Sequence, residues 1–113
     1  MTDYAVIWPE GQKPLYLSRI KENDNGFLTS GYIINGAWNY SVRIDRNRLE
    51  CKDWENKIIE KFPIPTWYDV VKFTSQQITH LGFRWEDYND IIEWANTQPK
   101  TRVYLQQEGE SNE

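Results

Sequence analysis

Cys51 is the only thiol in the chain and His80 the only imidazole, so a Cys–His pair is the one nucleophilic arrangement its thiol chemistry allows. Such a pair works when the base lowers the thiol pKa and a third group orients the base, and residues this far apart in sequence supply no sign of either contact. One Cys and one His also fall short of the four ligands of a structural zinc site. The oxygen-rich string Glu22-Asn23-Asp24-Asn25-Gly26 lacks the length and the closing Glu of an EF-hand loop, and its residue types suit a hairpin connection. The six glycines never fall into a phosphate-cradling or dinucleotide pattern. We therefore assign no catalytic residue, no metal ligand and no cofactor from the sequence, and expect a non-enzymatic protein.

Two constellations suit binding. In the first, Glu86, Asp90 and Glu93 recur at i, i+4 and i+7, Asp87 adds to them, and Trp94 lies at the margin. With no Lys or Arg between Arg84 and Lys100, the predicted stripe has no neutralising partner within its helix. Carboxylates beside an exposed aromatic suit docking on a basic surface of the kind nucleic-acid-binding proteins carry, with long-range attraction speeding encounter. In the second, Arg43, Arg46, Arg48 and Lys52 fall within ten residues, near Tyr32 and Tyr16 on the predicted sheet face. Cations beside aromatic rings can hold a nucleotide or another small ligand through phosphate contacts and stacking. Asp45, Glu50 and Asp53 interrupt that stretch, and an acidic protein gains no long-range attraction to nucleic acid, which disfavours direct nucleic-acid binding.

Composition bounds the class. The chain has 113 residues, 13 Lys and Arg against 17 Asp and Glu, and a net charge of −4. Residues 1–61 balance nine cations with nine acids, so the net charge comes wholly from the second half. Six Trp, seven Tyr and four Phe are numerous for this length, and aromatic side chains build cores and anchor interfaces alike. No apolar run approaches the ~20 residues of a membrane span, and the first residues lack the basic and apolar regions of a secretory leader, so a cytoplasmic protein is expected. A short, acidic, aromatic-rich domain without catalytic clusters resembles the accessory proteins with which bacteriophages and other mobile elements block host machinery. The likeness is one of profile and rests on no motif.

Several elements must position these residues. Tyr4–Trp8, Leu15–Lys21 and Phe27–Ile34 read as strands, and Asn35-Gly36 as a two-residue hairpin turn into a fourth strand ending at Ile44. This turn sets Ile34 opposite Ala37, Ile33 opposite Trp38 and Gly31 opposite Tyr40. One hairpin face then collects Phe27, Thr29, Gly31, Ile33, Trp38, Tyr40, Val42 and Ile44 for the core. Asp53 is expected to cap a helix over 54–62, with Trp54, Ile58 and Phe62 as its apolar stripe. Thr66 heads a capping-box spacing, and Trp67, Val70, Val71, Thr74, Ile78 and Leu81 repeat with helical period up to Gly82. A further helix from about Trp85 to Asn96 turns Trp85, Tyr88, Ile91, Ile92 and Ala95 inward. Residues 101–105 read as a last strand beside the first.

The expected fold is thus α+β, an antiparallel sheet of four to five strands with two or three helices packed on one face. One domain spans 1–105, and the acidic tail 106–113, which has nothing to bury, is expected to be disordered. The functional expectation is a small acidic inhibitor or adaptor that docks on a protein partner through Glu86, Asp87, Asp90, Glu93 and Trp94. The alternative is a nucleotide or small-ligand binding protein using Tyr32, Arg43, Arg46 and Arg48.

Overall fold

The computed structural model describes residues 3–24, 26–35, 38–53, 55 and 57–105; the acidic tail and the Asn-Gly turn residue Gly36 lie outside these, as do Trp54 and the side chains of 32–35, 38 and 39. The chain is mostly strand: β1 (Tyr4–Pro9), β2 (Leu15–Glu22), β3 (Leu28–Asn35), β4 (Trp38–Asp45), β5 (Arg48–Lys52), β6 (Ile58–Lys61) and β7 (Trp67–Phe73) precede α1 (Ser75–His80), α2 (Tyr88–Ala95) and β8 (Thr101–Tyr104). This overturns the α+β expectation. The hydrogen-bonded order β6-β5-β4-β3-β2-β1-β7-β8 is antiparallel throughout and folds as a five-stranded sheet, β6 to β2, continued by a three-stranded one, β1, β7 and β8.

The bend between the two lies in β2. Its pairing with β3 shifts between Ser18 and Lys21, and Arg19 takes a left-handed conformation, φ 55°, that side chains seldom adopt. The Asp3 carbonyl accepts the amides of Arg19 and Ile20, which fixes the bulge from the start of the chain. The strand can then belong to both sheets, and the folded ladder encloses a shared core. Ala5, Ile7, Leu15, Leu17, Tyr68 and Val70 from one side meet Val42, Ile44, Leu49 and Cys51 from the other.

The opposite face of β1, β2 and β7 carries Val6, Tyr16, Val71 and Phe73, and these pack beneath Ile78 of α1 and Ile91 and Ala95 of α2. Tyr4, Tyr16 and Phe73 stack with ring centroids 5.8–6.3 Å apart, an aromatic floor for the helices. The middle strands are therefore apolar on both faces and show no alternation. That is why 67–73 was legible as a helix: Trp67, Val70 and Val71 satisfy helical spacing, but residues 68 and 70 face one core while 71 and 73 face the other.

Three further expectations are corrected. The helix over 54–62 gives way to a turn that follows β5 and to strand β6; the Asp53 carboxylate, expected to cap a helix, instead accepts the amides of Glu55 (2.8 Å) and Lys57 (3.0 Å) and closes that turn. In the β3–β4 hairpin Asn35 pairs with Trp38, so Ile33 faces Tyr40, two residues from the expected partner. A two-residue shift keeps each side chain on its face, and Phe27, Val42 and Ile44 are buried as expected, although Leu28 is buried too. Finally β8 pairs with β7, because β1 already has β2 and β7 as neighbours.

Candidate docking surface

Helix α1 starts where strand β7 leaves the sheet. Thr74 is its N-cap: the Gln77 amide donates to Thr74 Oγ1 at 3.2 Å, and Thr74 N donates to Gln77 Oε1 at 2.9 Å, a reciprocal capping box. The Asp3 carboxylate accepts from both Ser75 N (2.9 Å) and Ser75 Oγ (3.1 Å), tying the helix to the segment that also holds the β2 bulge. Gly82, φ 80°, ends the helix in the left-handed region, and the amides of Gly82 and Phe83 donate back to Thr79 and Ile78.

The connection to α2 positions the acidic residues of the expected stripe. Asp87, not Trp85, heads α2; its Oδ2 accepts the Arg84 amide at 2.9 Å, and the Ile91 amide donates to its carbonyl. Glu86 and Asp87 therefore lie before the helix, and only Asp90 and Glu93 share its outer face, opposite buried Ile91 and Ala95. The Arg84 guanidinium reaches Glu86 at 3.7 Å and Asp87 at 3.5 Å, so two of the four acids do have a cation close by. Asp90 and Glu93 are exposed and have no ion-pair partner among the described residues.

The two tryptophans exchange their expected places. Trp94 is half-buried and meets Phe73 edge-on, with centroids 5.3 Å apart, so it holds α2 to the sheet. Trp85, expected inward, is 47% exposed, and Leu81 beside the glycine turn is 39% exposed. The cause is the late helix start: Trp85 lies before the N-cap Asp87, so the helical repeat that would set it on the side of Tyr88 and Ile92 does not reach it. The Asp in Arg84-Trp85-Glu86-Asp87 is a favoured N-cap type and was the sequence signal that could have placed this boundary.

The basic residues gather at the β4–β5 hairpin, whose tip is Arg46-Asn47 and whose Asp45 carboxylate accepts the Asn47 amide at 2.8 Å. Arg43 pairs with Asp45 at 3.3 Å, Arg46 stands 5.6 Å from the Phe27 ring centroid, and Arg48 is exposed. The Tyr32 side chain lies outside the described residues. Cys51 is buried within the core between the sheets, whereas His80 is exposed on α1 at the far side of β1 and β7. The charges that act on Cys51 are Glu60 and Lys13. Among the described residues no three His, Cys, Asp or Glu side chains could hold a metal ion together, and no helix is long and apolar enough to cross a membrane.

No protein-family model, curated protein or solved structure matches the chain.

Proposed function

We propose that the protein is a non-enzymatic binding protein, an inhibitor or adaptor, that docks on a basic surface of a protein partner through the α1–α2 side. The observation that carries this reading is the 47% exposure of Trp85, next to Glu86 in the connection that leads into α2, whose outer face presents Asp90 and Glu93 without an ion-pair partner among the described residues. An exposed Trp gives up a large apolar area to water and regains it on docking, which is why Trp is prominent among residues that dominate binding energy. Asp90 and Glu93 supply steering and exclude acidic partners. The profile shared with accessory proteins of phages and mobile elements makes anti-defence inhibition the context we favour.

Capture of the partner from host lysate, followed by titration with variants, tests this. Trp85→Ala is expected to weaken binding roughly 30-fold, the effect of losing a central anchor worth about 2 kcal/mol. Asp90→Lys combined with Glu93→Lys is expected to slow association and flatten its dependence on salt. Unchanged affinity and salt dependence in both variants would refute the docking role.

A further inference from the structure

The ladder of strands is open, and its two edges are β6 and β8. An edge strand offers unpaired amides and carbonyls to another strand, and proteins blunt such edges with charges, proline or bulges. The two edges differ in this respect, although each is four residues long.

Hydrogen bonding fixes which backbone groups each edge exposes. The Leu105 amide donates to the Thr66 carbonyl at 2.9 Å, and the β7–β8 register runs without a shift from Trp67 opposite Tyr104 to Val70 opposite Thr101. An antiparallel strand turns alternate residues toward its neighbour, so Leu105, Val103 and Thr101 bond to β7, while the backbone groups of Arg102 and Tyr104 point to the open edge. On β6 the Phe62 amide donates to the Leu49 carbonyl at 3.0 Å, so there Ile59 and Lys61 point outward.

Pairing each edge with a copy of itself gives opposite results. The two-fold registers that join Ile59 and Lys61 set Glu60 against Glu60, Lys61 against Lys61, or Lys57 against Lys61, and like charges directly opposite are destabilising. The pairing of β6 with β5 is also bulged, and Pro63 follows it. Strand β8 has no such bulge. With the axis at Val103, Arg102 of one copy lies opposite Tyr104 of the other, and the two Arg102–Tyr104 pairs exchange four backbone hydrogen bonds. No like charges then lie opposite, and Asp69 already neutralises Arg102 through two hydrogen bonds. Because Asp69 and the Trp67 ring hold Arg102 in place, pairing orders no free cation. Tyr104 is 63% exposed, more than any other large apolar side chain among the described residues, and this pairing covers it against a guanidinium.

We propose that the protein forms a two-fold dimer by antiparallel pairing of β8 with β8 of a second copy, which joins the two three-stranded sheets into one of six strands, β1-β7-β8-β8-β7-β1. Arg102 and Tyr104 share the sheet face on which α1 and α2 pack, so the helices of both copies rise on the same side. One short strand pair is a small interface, and the dimer is weak, with a Kd of roughly 10–100 μM.

Sedimentation equilibrium of the purified full chain, from about 5 μM to about 1 mM so as to bracket this Kd, tests the pairing without any docking partner. The expected result is a reversible monomer–dimer equilibrium. Tyr104→Lys sets a cation opposite Arg102 and is expected to weaken association roughly tenfold, whereas Tyr104→Phe keeps it. Trp85→Ala on the docking side and Ile58→Lys on the other edge should leave it unchanged. Oxidation reads the register: the two copies of Val103 form a non-hydrogen-bonded pair with Cα atoms about 4.5 Å apart, so Val103→Cys should give a covalent dimer. Thr101→Cys should not, because the two copies of position 101 lie about 13 Å apart along the strands. The Tyr104 variants decide the matter if Val103→Cys does not fold. A monomer throughout the range overturns the proposal. So does a dimer that withstands Tyr104→Lys, that is lost in Trp85→Ala or Ile58→Lys, or that yields no disulfide at position 103 or one as readily at 101.

Discussion

Cys51 shows how environment decides the chemistry of a single residue. Desolvation by the surrounding core pushes its thiol up to about 12; nearby Glu60 adds to the shift and Lys13 opposes it. Because this pKa is raised, the thiol's contribution to stability is complete below the unfolded value, about 8.5, and is lost as pH rises from there toward 12. Denaturation measured from pH 8 to 11 should give a stability slope steeper in the wild type than in Cys51→Ala, approaching about 1.4 kcal/mol per pH unit within that window. Equal slopes would show that the thiol is not held neutral by the fold. Alkylation at pH 8 should likewise proceed only as fast as the protein opens. Residue identity alone made Cys51 a candidate nucleophile, and only its position on β5 between the two sheets shows why it behaves as a core side chain.

At the scale of elements, β8 is a short edge strand held by its clamp to β7. Arg102 donates to Asp69 through Nε at 2.9 Å and a second guanidinium nitrogen at 3.1 Å, and its guanidinium carbon stands 3.5 Å from the Trp67 ring centroid. The hydrogen bond from Arg102 is the main cause holding the Asp69 carboxyl below its ordinary value. For a lowered carboxyl pKa, stability is present above the unfolded pKa and is lost as pH falls through the folded one. Asp69→Asn should therefore lower the thermal midpoint at pH 7, and the gap to wild type should narrow as pH falls below about 4. A constant gap would place the effect in packing and not in charge. Local signals made β1 to β4, α2 and β8 legible in the sequence, from the apolar run Tyr4-Ala5-Val6-Ile7-Trp8 to the turn residues before Phe27. Strand β7 was not, because burial on both faces erases the alternation that marks a strand. Strands β5 and β6 were missed because an Asp that can cap a helix can equally close a turn, as Asp53 does.

For the whole molecule, the sequence carried composition but not closure. Nothing local in Ser18-Arg19-Ile20 announces that β2 bends there and passes from one sheet to the other, because the conformation of Arg19 is imposed by the Asp3 carbonyl and the shared core. Closure decides which aromatics remain outside: Tyr16, Tyr68 and Phe73 are enclosed, whereas Trp85, in the connection before α2, is left 47% exposed. Asp90 and Glu93 do share the outer face of α2, but the exclusion of Glu86 from the helix and the exposure of Trp85 were not legible, since the late start of α2 depends on how the chain turns after Gly82. The docking account is tested most directly by placing a photo-cross-linking residue at position 85, and in a separate chain at Arg48 on the β4–β5 hairpin, in lysate of the cell that makes the protein. The account predicts one discrete protein adduct from position 85, competed away by unlabelled wild type, and none from position 48. An adduct from position 48 alone, or none from position 85, would contradict it.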